Sequence, residues 1–288
     1  MLRSTKFLVG LSLITLAYSP VVHAGPSPGC GADPTISTQT YTVTINSRER
    51  RYYVRLPEDY DKNHPYRLIF TYHQFGSSMQ SIVEGEDLDA PLGGALPFFG
   101  LPPLANETAI FVVPDGLNRR WANTGGEDLA FFDNMVSTIG NAICVDEDLR
   151  FSTGFSFGGA MSFAIACARP DVIRAIAVLS GAQLAGCDGG TQPVPYYGQH
   201  GTADNMLPIA LGRQLRDKFL ELNGCTPVTP EPQPDGDQSV MTKYEGCKEG
   251  YPVTWVVHSG SHSPSVMDGG SDVPFAPQNT WDFFTQFT

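Results

Sequence analysis

Gly154-Phe155-Ser156-Phe157-Gly158 constrains the fold of this chain more than any other segment. Residues 150–153 before it are typical of the end of a strand, and the small-residue run 159–168 after it predicts a helix. A serine on a sharp turn from strand to helix is a nucleophile elbow, and its flanking positions are glycine because neighbouring backbone comes close. The helix N-terminus then places partial positive charge beside the serine oxygen. We therefore predict that Ser156 is a nucleophile.

A serine nucleophile needs a base and an acid that orients the base, and both follow later in the chain. Segment 193–204 is typical of a strand that runs into a loop, with Asp204 at the tip of the loop. Segment 252–264 has the same pattern with His262. The order serine, acid, histidine is that of α/β-hydrolases, whose sites lie at the carboxyl ends of the strands. The predicted catalytic triad is Ser156, Asp204 and His262.

Three other histidines are weaker candidates for the base. His73 precedes the serine and breaks the chain order. His200 lies just before Asp204, where we expect it to brace the loop of the acid. His258 is the main alternative, but it falls inside the strand pattern, whereas His262 lies in the loop.

Attack on a carbonyl develops negative charge that two backbone N–H groups can stabilise. One donor is expected from Phe157, immediately after the nucleophile. The other is expected from the loop after the predicted strand 67–73. We assign this second oxyanion-hole donor to Phe75, with Gln74 as the alternative.

Strand patterns alternate with helix patterns along the chain, as a parallel α/β sheet requires. Together with the elbow, this predicts an α/β-hydrolase fold, in which a central, mostly parallel sheet is flanked by helices. The predicted strands are 40–46 and 50–56, which form a leading hairpin, and then 67–73, 109–114, 149–154, 173–180, 194–199 and 251–258. The predicted helices are 127–143, 157–169, 206–223 and 278–287.

Two features allow both a structural and a functional interpretation. The apolar stretch 95–104 is either a packed surface loop or one wall of a substrate cleft. Trp121 either stacks on an aromatic group or sugar of a substrate, or anchors its loop to the core, which is the commoner role of a large aromatic residue. We keep Trp121 as a candidate substrate-binding residue.

The Pro- and Gly-rich stretch 226–240 is predicted to be an insert loop.

The N-terminus predicts secretion. A basic start is followed by the apolar run 7–18 and by Val22-His23-Ala24, so residues 1–24 are predicted to be a signal peptide. The apolar run is too short to span a membrane. Residues 25–288 are predicted to form one catalytic domain, which we expect to be secreted and monomeric.

The charge and the absence of several motifs narrow the function classes. The net charge of −12 argues against nucleic acid or an anionic membrane as a partner. The sequence has no metal-ligand spacing and no phosphate-binding loop, so neither a metal nor another cofactor is expected.

The six cysteines all follow residue 24, and an even number in a secreted chain indicates disulfides. Cys225 and Cys247 flank the insert loop, and we predict that they form one bridge because it would close that loop. Cys167 lies in an apolar helix pattern, which is compatible with a buried free thiol. Asn106-Glu107-Thr108 is a glycosylation sequon, so Asn106 is a candidate acceptor.

Several longer pieces of the chain carry a resemblance to a known family. They include Arg51-Tyr52-Tyr53-Val54-Arg55-Leu56-Pro57, His64-Pro65-Tyr66-Arg67-Leu68, Trp121-Ala122-Asn123, Cys144-Val145-Asp146-Glu147, Phe151-Ser152-Thr153-Gly154-Phe155-Ser156-Phe157-Gly158-Gly159, Cys187-Asp188-Gly189-Gly190 and Tyr197-Gly198-Gln199-His200-Gly201-Thr202. In these pieces and their order, the chain resembles secreted fungal feruloyl esterases of the carbohydrate esterase family one type. That group is related to polyhydroxybutyrate depolymerase-like esterases and acetyl xylan esterases.

The resemblance implies a serine esterase with Ser156, Asp204 and His262 as its triad and without a cofactor. It implies release of ferulic and other hydroxycinnamic acids from feruloylated arabinoxylan of plant cell walls, through an acyl-enzyme. The alternatives on the same scaffold are an acetyl xylan esterase and a polyhydroxybutyrate depolymerase-like esterase. A binding protein with a relic site is a third class, against which the intact triad positions count.

Overall fold

The computed structural model of the protein describes residues 25–86 and 94–288, and the predicted signal peptide lies outside these ranges. Within them, nine strands form one sheet: β1 (Gln39–Ile45), β2 (Arg48–Arg55), β3 (Tyr66–Tyr72), β4 (Ala109–Pro114), β5 (Val145–Phe155), β6 (Ala175–Leu179), β7 (Tyr196–Gly201), β8 (Val240–Lys243) and β9 (Val253–His258). The α-helices are α1 (Met79–Glu84), α2 (Leu101–Ala105), α3 (Glu127–Ala142), α4 (Phe157–Ala168), α5 (Ile209–Asn223) and α6 (Phe275–Thr285).

The sheet is parallel in its centre and antiparallel at both ends. The strand order is β1-β2-β4-β3-β5-β6-β7-β9-β8. The pairs from β4 to β9 are parallel, whereas β1, β2 and β8 run antiparallel to their neighbours. Parallel neighbours need crossover connections, which contain helices except between β6 and β7, where residues 180–195 form a loop. This arrangement confirms the predicted α/β-hydrolase fold and its leading hairpin.

Both faces of the central strands are buried under helices. In β3, Leu68 and Phe70 pack on the side of α3, α4 and α5, whereas Ile69 packs on the side of α1, α2 and α6. Successive side chains of a strand point to opposite faces, so a strand buried on both faces is apolar throughout. No helix in the described ranges is long and apolar enough to cross a membrane.

Three disulfides connect the six cysteines: Cys30–Cys144, Cys167–Cys187 and Cys225–Cys247. The predicted Cys225–Cys247 bridge is therefore confirmed. The interpretation of Cys167 as a free thiol is wrong. The end of α4 lies against the loop after β6, where the Gly190 N–H donates to the Cys167 carbonyl at 2.9 Å, and this brings Cys187 within reach.

The apolar stretch 95–104 is part of the core rather than a wall of a cleft. It forms a 3₁₀ turn followed by α2, and the rings of Phe98 and Phe99 are each 5% exposed. The Phe98 ring contacts Tyr53 of β2 and Phe111 of β4, with centroid distances of 6.2 and 5.6 Å. These rings cover the sheet and present no surface to a ligand.

The insert after α5 contains structure that its composition does not reveal. It leads into β8, a short edge strand that pairs antiparallel with β9. The Glu231 carboxylate forms ion pairs with Arg213 and Arg216, and these hold the insert against α5.

Candidate active site

Ser156 lies on the turn between β5 and α4, in a backbone conformation that few residues adopt. Its φ is 56° and its ψ is −116°, which is unfavourable for a residue with a side chain. The Ser156 N–H donates to the Leu179 carbonyl at 2.8 Å, and the Ser156 carbonyl accepts from the Ala160 N–H at 3.0 Å. The local structure is therefore the elbow that the sequence predicts.

Both glycines of the elbow are required by close backbone contacts. A Cβ atom on Gly158 would collide with the Tyr72 carbonyl, and a Cβ atom on Gly154 would collide with the Gly158 carbonyl. Only glycine lets backbone segments approach this closely. The start of α4 is thereby placed directly against the end of β3.

The predicted acid and base are in direct contact. The His262 Nδ1 atom lies 2.6 Å from Asp204 Oδ2, and both side chains are buried. Asp204 follows β7 and His262 follows β9, and these strands pair in parallel with Gly201 opposite His258. The Thr202 N–H donates to the His258 carbonyl at 2.8 Å, so the two loops leave the sheet side by side.

The Asp204 carboxylate is held by four groups. Its Oδ1 atom accepts from the backbone N–H groups of Met206 at 3.0 Å and Leu207 at 2.8 Å. Its Oδ2 atom faces His262 and lies 3.2 Å from His200 Nε2. These contacts fix the plane of the carboxylate and direct one oxygen at the imidazole of His262.

His200 supports the acid, as the sequence predicts. Its Nε2 atom also lies 2.7 Å from the Leu207 carbonyl, which can only accept, so this nitrogen carries the proton and donates. Burial by itself would raise the pKa of Asp204, but hydrogen bonds from His200, His262 and the Leu207 N–H outweigh it and lower the pKa to about 2. Asp204 is therefore ionised at neutral pH.

The alternative base, His258, lacks the partner that a base needs. It is 1% exposed, and neither ring nitrogen has a hydrogen-bond partner among the described residues. Burial and the neighbouring His200 lower its pKa to about 4. A general base is oriented by a third group on its other nitrogen, and His262 has such a group whereas His258 does not.

His262 contacts the residue that precedes Ser156, and no hydrogen bond joins Ser156 and His262. The ring of Phe155, which precedes the serine, lies 4.6 Å from the His262 ring between centroids. The Ser156 Oγ atom makes no hydrogen bond to a described residue. Bonds between a nucleophile and its base often tighten only when substrate is bound.

The two predicted oxyanion-hole donors lie on facing segments beside the elbow. Phe157 is the first residue of α4, where backbone N–H groups have no acceptor within the helix. The Phe75 N–H lies in the loop after β3 and has no acceptor among the described residues. The rings of Phe75 and Phe157 are in edge contact, with centroids 6.4 Å apart, so the two backbone segments converge near Ser156.

The prediction that Trp121 binds substrate needs correction. The side chain is fully buried, its Nε1–H donates to the His73 carbonyl at 2.8 Å, and its ring packs edge-on against Tyr72. No face of the ring is open to a ligand. Trp121 instead anchors the loop after β4 to the end of β3, which is the structural alternative.

A buried ion pair behind this loop is not evident from the sequence. Arg50 of β2 and Asp128 of α3 lie 2.7 Å apart, with side chains 1% and 2% exposed. The Asp128 carboxylate accepts the Asn123 N–H at 2.7 Å, and the Asn123 side chain donates to the Ala185 carbonyl at 3.0 Å. The pair therefore connects the loops after β4 and β6. The pair is not evident from the sequence because a charged residue in a strand pattern normally indicates an exposed face of the sheet.

Comparison with known proteins identifies the family. Feruloyl esterase D of Neurospora crassa is 54% identical over 288 residues, which cover 99% of this chain and 98% of that protein. This chain belongs to the feruloyl esterase family. Feruloyl esterase C of Emericella nidulans, another member, is 42% identical over 269 residues, which cover 93% of this chain and 94% of that protein. No protein-family model matches the chain.

Solved structures resemble this member of the feruloyl esterase family in fold. An acetyl xylan esterase from Aspergillus awamori superimposes with a TM-score of 0.60 at 14% sequence identity, covering 86% of this chain and 99% of that one. At this identity the likeness concerns the fold alone, since one fold supports many chemistries.

Substituting the two histidines separately tests which one is the base. His262→Ala should lower kcat on methyl ferulate by about five orders of magnitude, because triad members act as a unit. His258→Ala should keep kcat within the same order of magnitude as the wild type, since no acid orients His258. Thermal unfolding of both variants checks that each is folded. If His258→Ala abolished activity and His262→Ala did not, the base would be His258.

The lowered pKa of Asp204 predicts how stability depends on pH. The pKa of Asp204 falls from its ordinary value of 3.8 to about 2 on folding. Between pH 3.8 and about pH 2, Asp204 therefore binds a proton more readily in the unfolded chain than in the folded one. The contribution of Asp204 is therefore complete above about pH 4 and is lost on acidification toward pH 2, with a size on the order of 2 kcal/mol.

Urea unfolding of the wild type and Asp204→Asn from pH 7 to pH 2 measures this contribution. The difference between their free energies of unfolding should shrink as the pH falls from about 4 toward 2. A difference that stays constant down to pH 2 would contradict the assigned environment of Asp204.

Proposed function

We propose that this protein is a secreted serine esterase that releases ferulic and other hydroxycinnamic acids from feruloylated arabinoxylan of plant cell walls. The observation that carries the proposal is the Asp204–His262 pair beside a strained serine elbow, in a chain 54% identical to Feruloyl esterase D of Neurospora crassa. The geometry supports ester hydrolysis in general, and the family supports the hydroxycinnamoyl substrate.

The reaction begins when Ser156 Oγ attacks the ester carbonyl and His262 Nε2 takes its proton. Asp204 stabilises the imidazolium that forms, and the N–H groups of Phe157 and Phe75 bind the oxyanion. The tetrahedral intermediate collapses, and the sugar hydroxyl leaves with the proton from His262. A water molecule then gives a proton to His262 and adds to the acyl carbon. The bond from that carbon to Ser156 Oγ breaks, His262 returns the proton to Oγ, and the free acid leaves.

Loops at the carboxyl edge of the sheet expose apolar side chains, which suit an aromatic acid. Seven large apolar side chains in the described ranges are exposed, and five of them lie on loops at the carboxyl edge: Phe75, Leu184, Met206, Met267 and Val273. The Phe75 side chain is 67% exposed and contacts Phe157 beside the nucleophile. Stacking of a flat aromatic acid on such a ring makes the free energy of binding more favourable. We assign the hydroxycinnamoyl ring to the surface of Phe75.

Action outside the cell is supported by the three disulfides and the predicted signal peptide. Asn106 of the sequon is exposed just before β4, at the amino edge of the parallel strands, and the triad lies at the opposite edge. An N-linked glycan on Asn106 would leave the site open. The proposed form is a monomer that acts on the wall polysaccharide without a cofactor.

The exposed ring of Phe75 gives a direct test of the substrate. The wild type should have a higher kcat/KM on methyl ferulate than on methyl butyrate. Phe75→Ala should lower this ratio by about tenfold, because an aromatic contact adds about 0.5–1.5 kcal/mol beyond the buried area. The backbone N–H of residue 75 is unchanged by the substitution.

Val273→Ala is the matched control, since Val273 is 69% exposed on another loop of the same face. Its ratio should equal that of the wild type. Faster turnover of acetylated xylan than of methyl ferulate would favour the acetyl xylan esterase alternative. Dominant turnover of hydroxybutyrate oligomers would favour the polyester one.

A further inference from the structure

His73 is a buried histidine beside the site, outside the triad. It follows β3 and is 0% exposed. Its Nε2 atom accepts the Gly116 N–H at 2.9 Å, and its Nδ1 atom lies 2.8 Å from the Gln74 carbonyl oxygen. Both ring nitrogens thus form hydrogen bonds with backbone groups.

These two contacts determine which nitrogen carries the proton. A backbone N–H can only donate, so Nε2 is the unprotonated nitrogen. A carbonyl oxygen can only accept, so Nδ1 carries the proton and donates to Gln74. Burial lowers the pKa of His73, which favours the neutral ring that both contacts require. Asp115, the nearest carboxylate, lies 3.9 Å from Nε2 and does not replace the Gly116 contact.

The bond to Gln74 sets the direction of the next backbone N–H. The carbonyl of Gln74 and the N–H of Phe75 belong to one planar, trans peptide group, in which they point in opposite directions. Because the carbonyl points at the His73 ring, the Phe75 N–H points away from it. The N–H groups of the following two residues donate to the Arg119 and Gln74 carbonyls, at 2.9 and 3.2 Å, whereas that of Phe75 has no acceptor among the described residues.

The His73 ring is itself held firmly. The Trp121 ring lies 4.8 Å from it between centroids, and the Trp121 Nε1–H donates to the His73 carbonyl at 2.8 Å. A Cβ atom on Gly116 would lie 2.5 Å from the Arg120 carbonyl oxygen and 3.1 Å from His73 Nε2, so glycine is what allows the Gly116 N–H to approach the ring. A ring fixed on several sides can fix the peptide that it contacts.

We propose that His73 is a positioning residue for the oxyanion hole, whose Nδ1–H holds the Gln74–Phe75 peptide so that the Phe75 N–H is directed at the developing oxyanion. The inference rests on the proposed esterase function, because it concerns a donor used only in that reaction. A donor of this kind acts on the transition state more than on bound substrate. Its loss should therefore lower kcat and leave KM nearly unchanged.

Two amide substitutions separate the two ring nitrogens. In His73→Asn, the side-chain N–H can occupy the place of Nδ1 and still donate to Gln74. In His73→Gln, the side-chain oxygen can occupy the place of Nε2 and accept from Gly116, but no side chain replaces Nδ1, so the Gln74 carbonyl keeps only the Ser77 N–H as a donor. Both variants remove the ring from the same buried site, so a purely structural role would affect them alike.

Steady-state kinetics on methyl ferulate and on 4-nitrophenyl acetate should distinguish the variants. His73→Gln should lose about 10- to 100-fold in kcat with KM within about twofold, which is less than the loss of a whole oxyanion donor. His73→Asn should recover most of that kcat. Equal loss in both variants, or no loss in His73→Gln, would overturn the positioning role.

The wild-type protein offers a test that does not depend on how the variants fold. In protein labelled with ¹⁵N-histidine, the His73 ring, assigned through its contact with Trp121, should show the tautomer protonated on Nδ1. An Nε2-protonated ring would overturn the inference. Other results would contradict the proposed function itself: a wild type that does not hydrolyse methyl ferulate, or a Ser156→Ala variant that remains active. The 4-nitrophenyl acetate comparison still tests His73 if methyl ferulate alone is not a substrate.

Discussion

The contact between the start of α4 and the end of β3 is the constraint on which the rest of the site depends. Gly158 lies against the carbonyl groups of Tyr72 and His73, with no room for a Cβ atom. This approach places Ser156 on a turn with a positive φ, a strain of about 1–3 kcal/mol that the surrounding sheet tolerates. It also brings the loop after β3 beside the N-terminus of α4. One backbone contact therefore positions the proposed nucleophile and brings together the two segments that carry the proposed oxyanion donors.

Two buried histidines support the proposed site. His200 donates from Nε2 to the Leu207 carbonyl and to Asp204, and His73 donates from Nδ1 to a loop carbonyl. His73 needs no charge for its contact, which suits a group removed from water. Hydrogen bonds from His200, His262 and the Leu207 N–H stabilise the Asp204 carboxylate, whose charge would stabilise the imidazolium of His262 in the proposed reaction. The proposed catalytic groups are thus oriented mainly by backbone geometry and by hydrogen bonds from buried side chains.

The sequence predicts the features that depend on local sterics and chain order. The elbow follows from the glycines around Ser156, and the acid and base follow from strands that run into loops. Local patterns fail where distant segments meet. The burial of Trp121 depends on β3, the partner of Cys167 depends on the loop after β6, and Arg50 is paired with a residue of α3. The edge strand β8 is missed because it has only four residues, Val240–Lys243, and becomes a strand through its pairing with β9.

Covalent capture of the nucleophile tests the central claim most directly. A 4-nitrophenyl phosphonate reacts with an activated serine to give a stable tetrahedral adduct, which intact mass and peptide mapping can locate. The account predicts one equivalent of label on the peptide that contains Ser156, with activity lost in proportion to labelling. Label on another residue, or full activity at one equivalent of label on Ser156, would contradict the account.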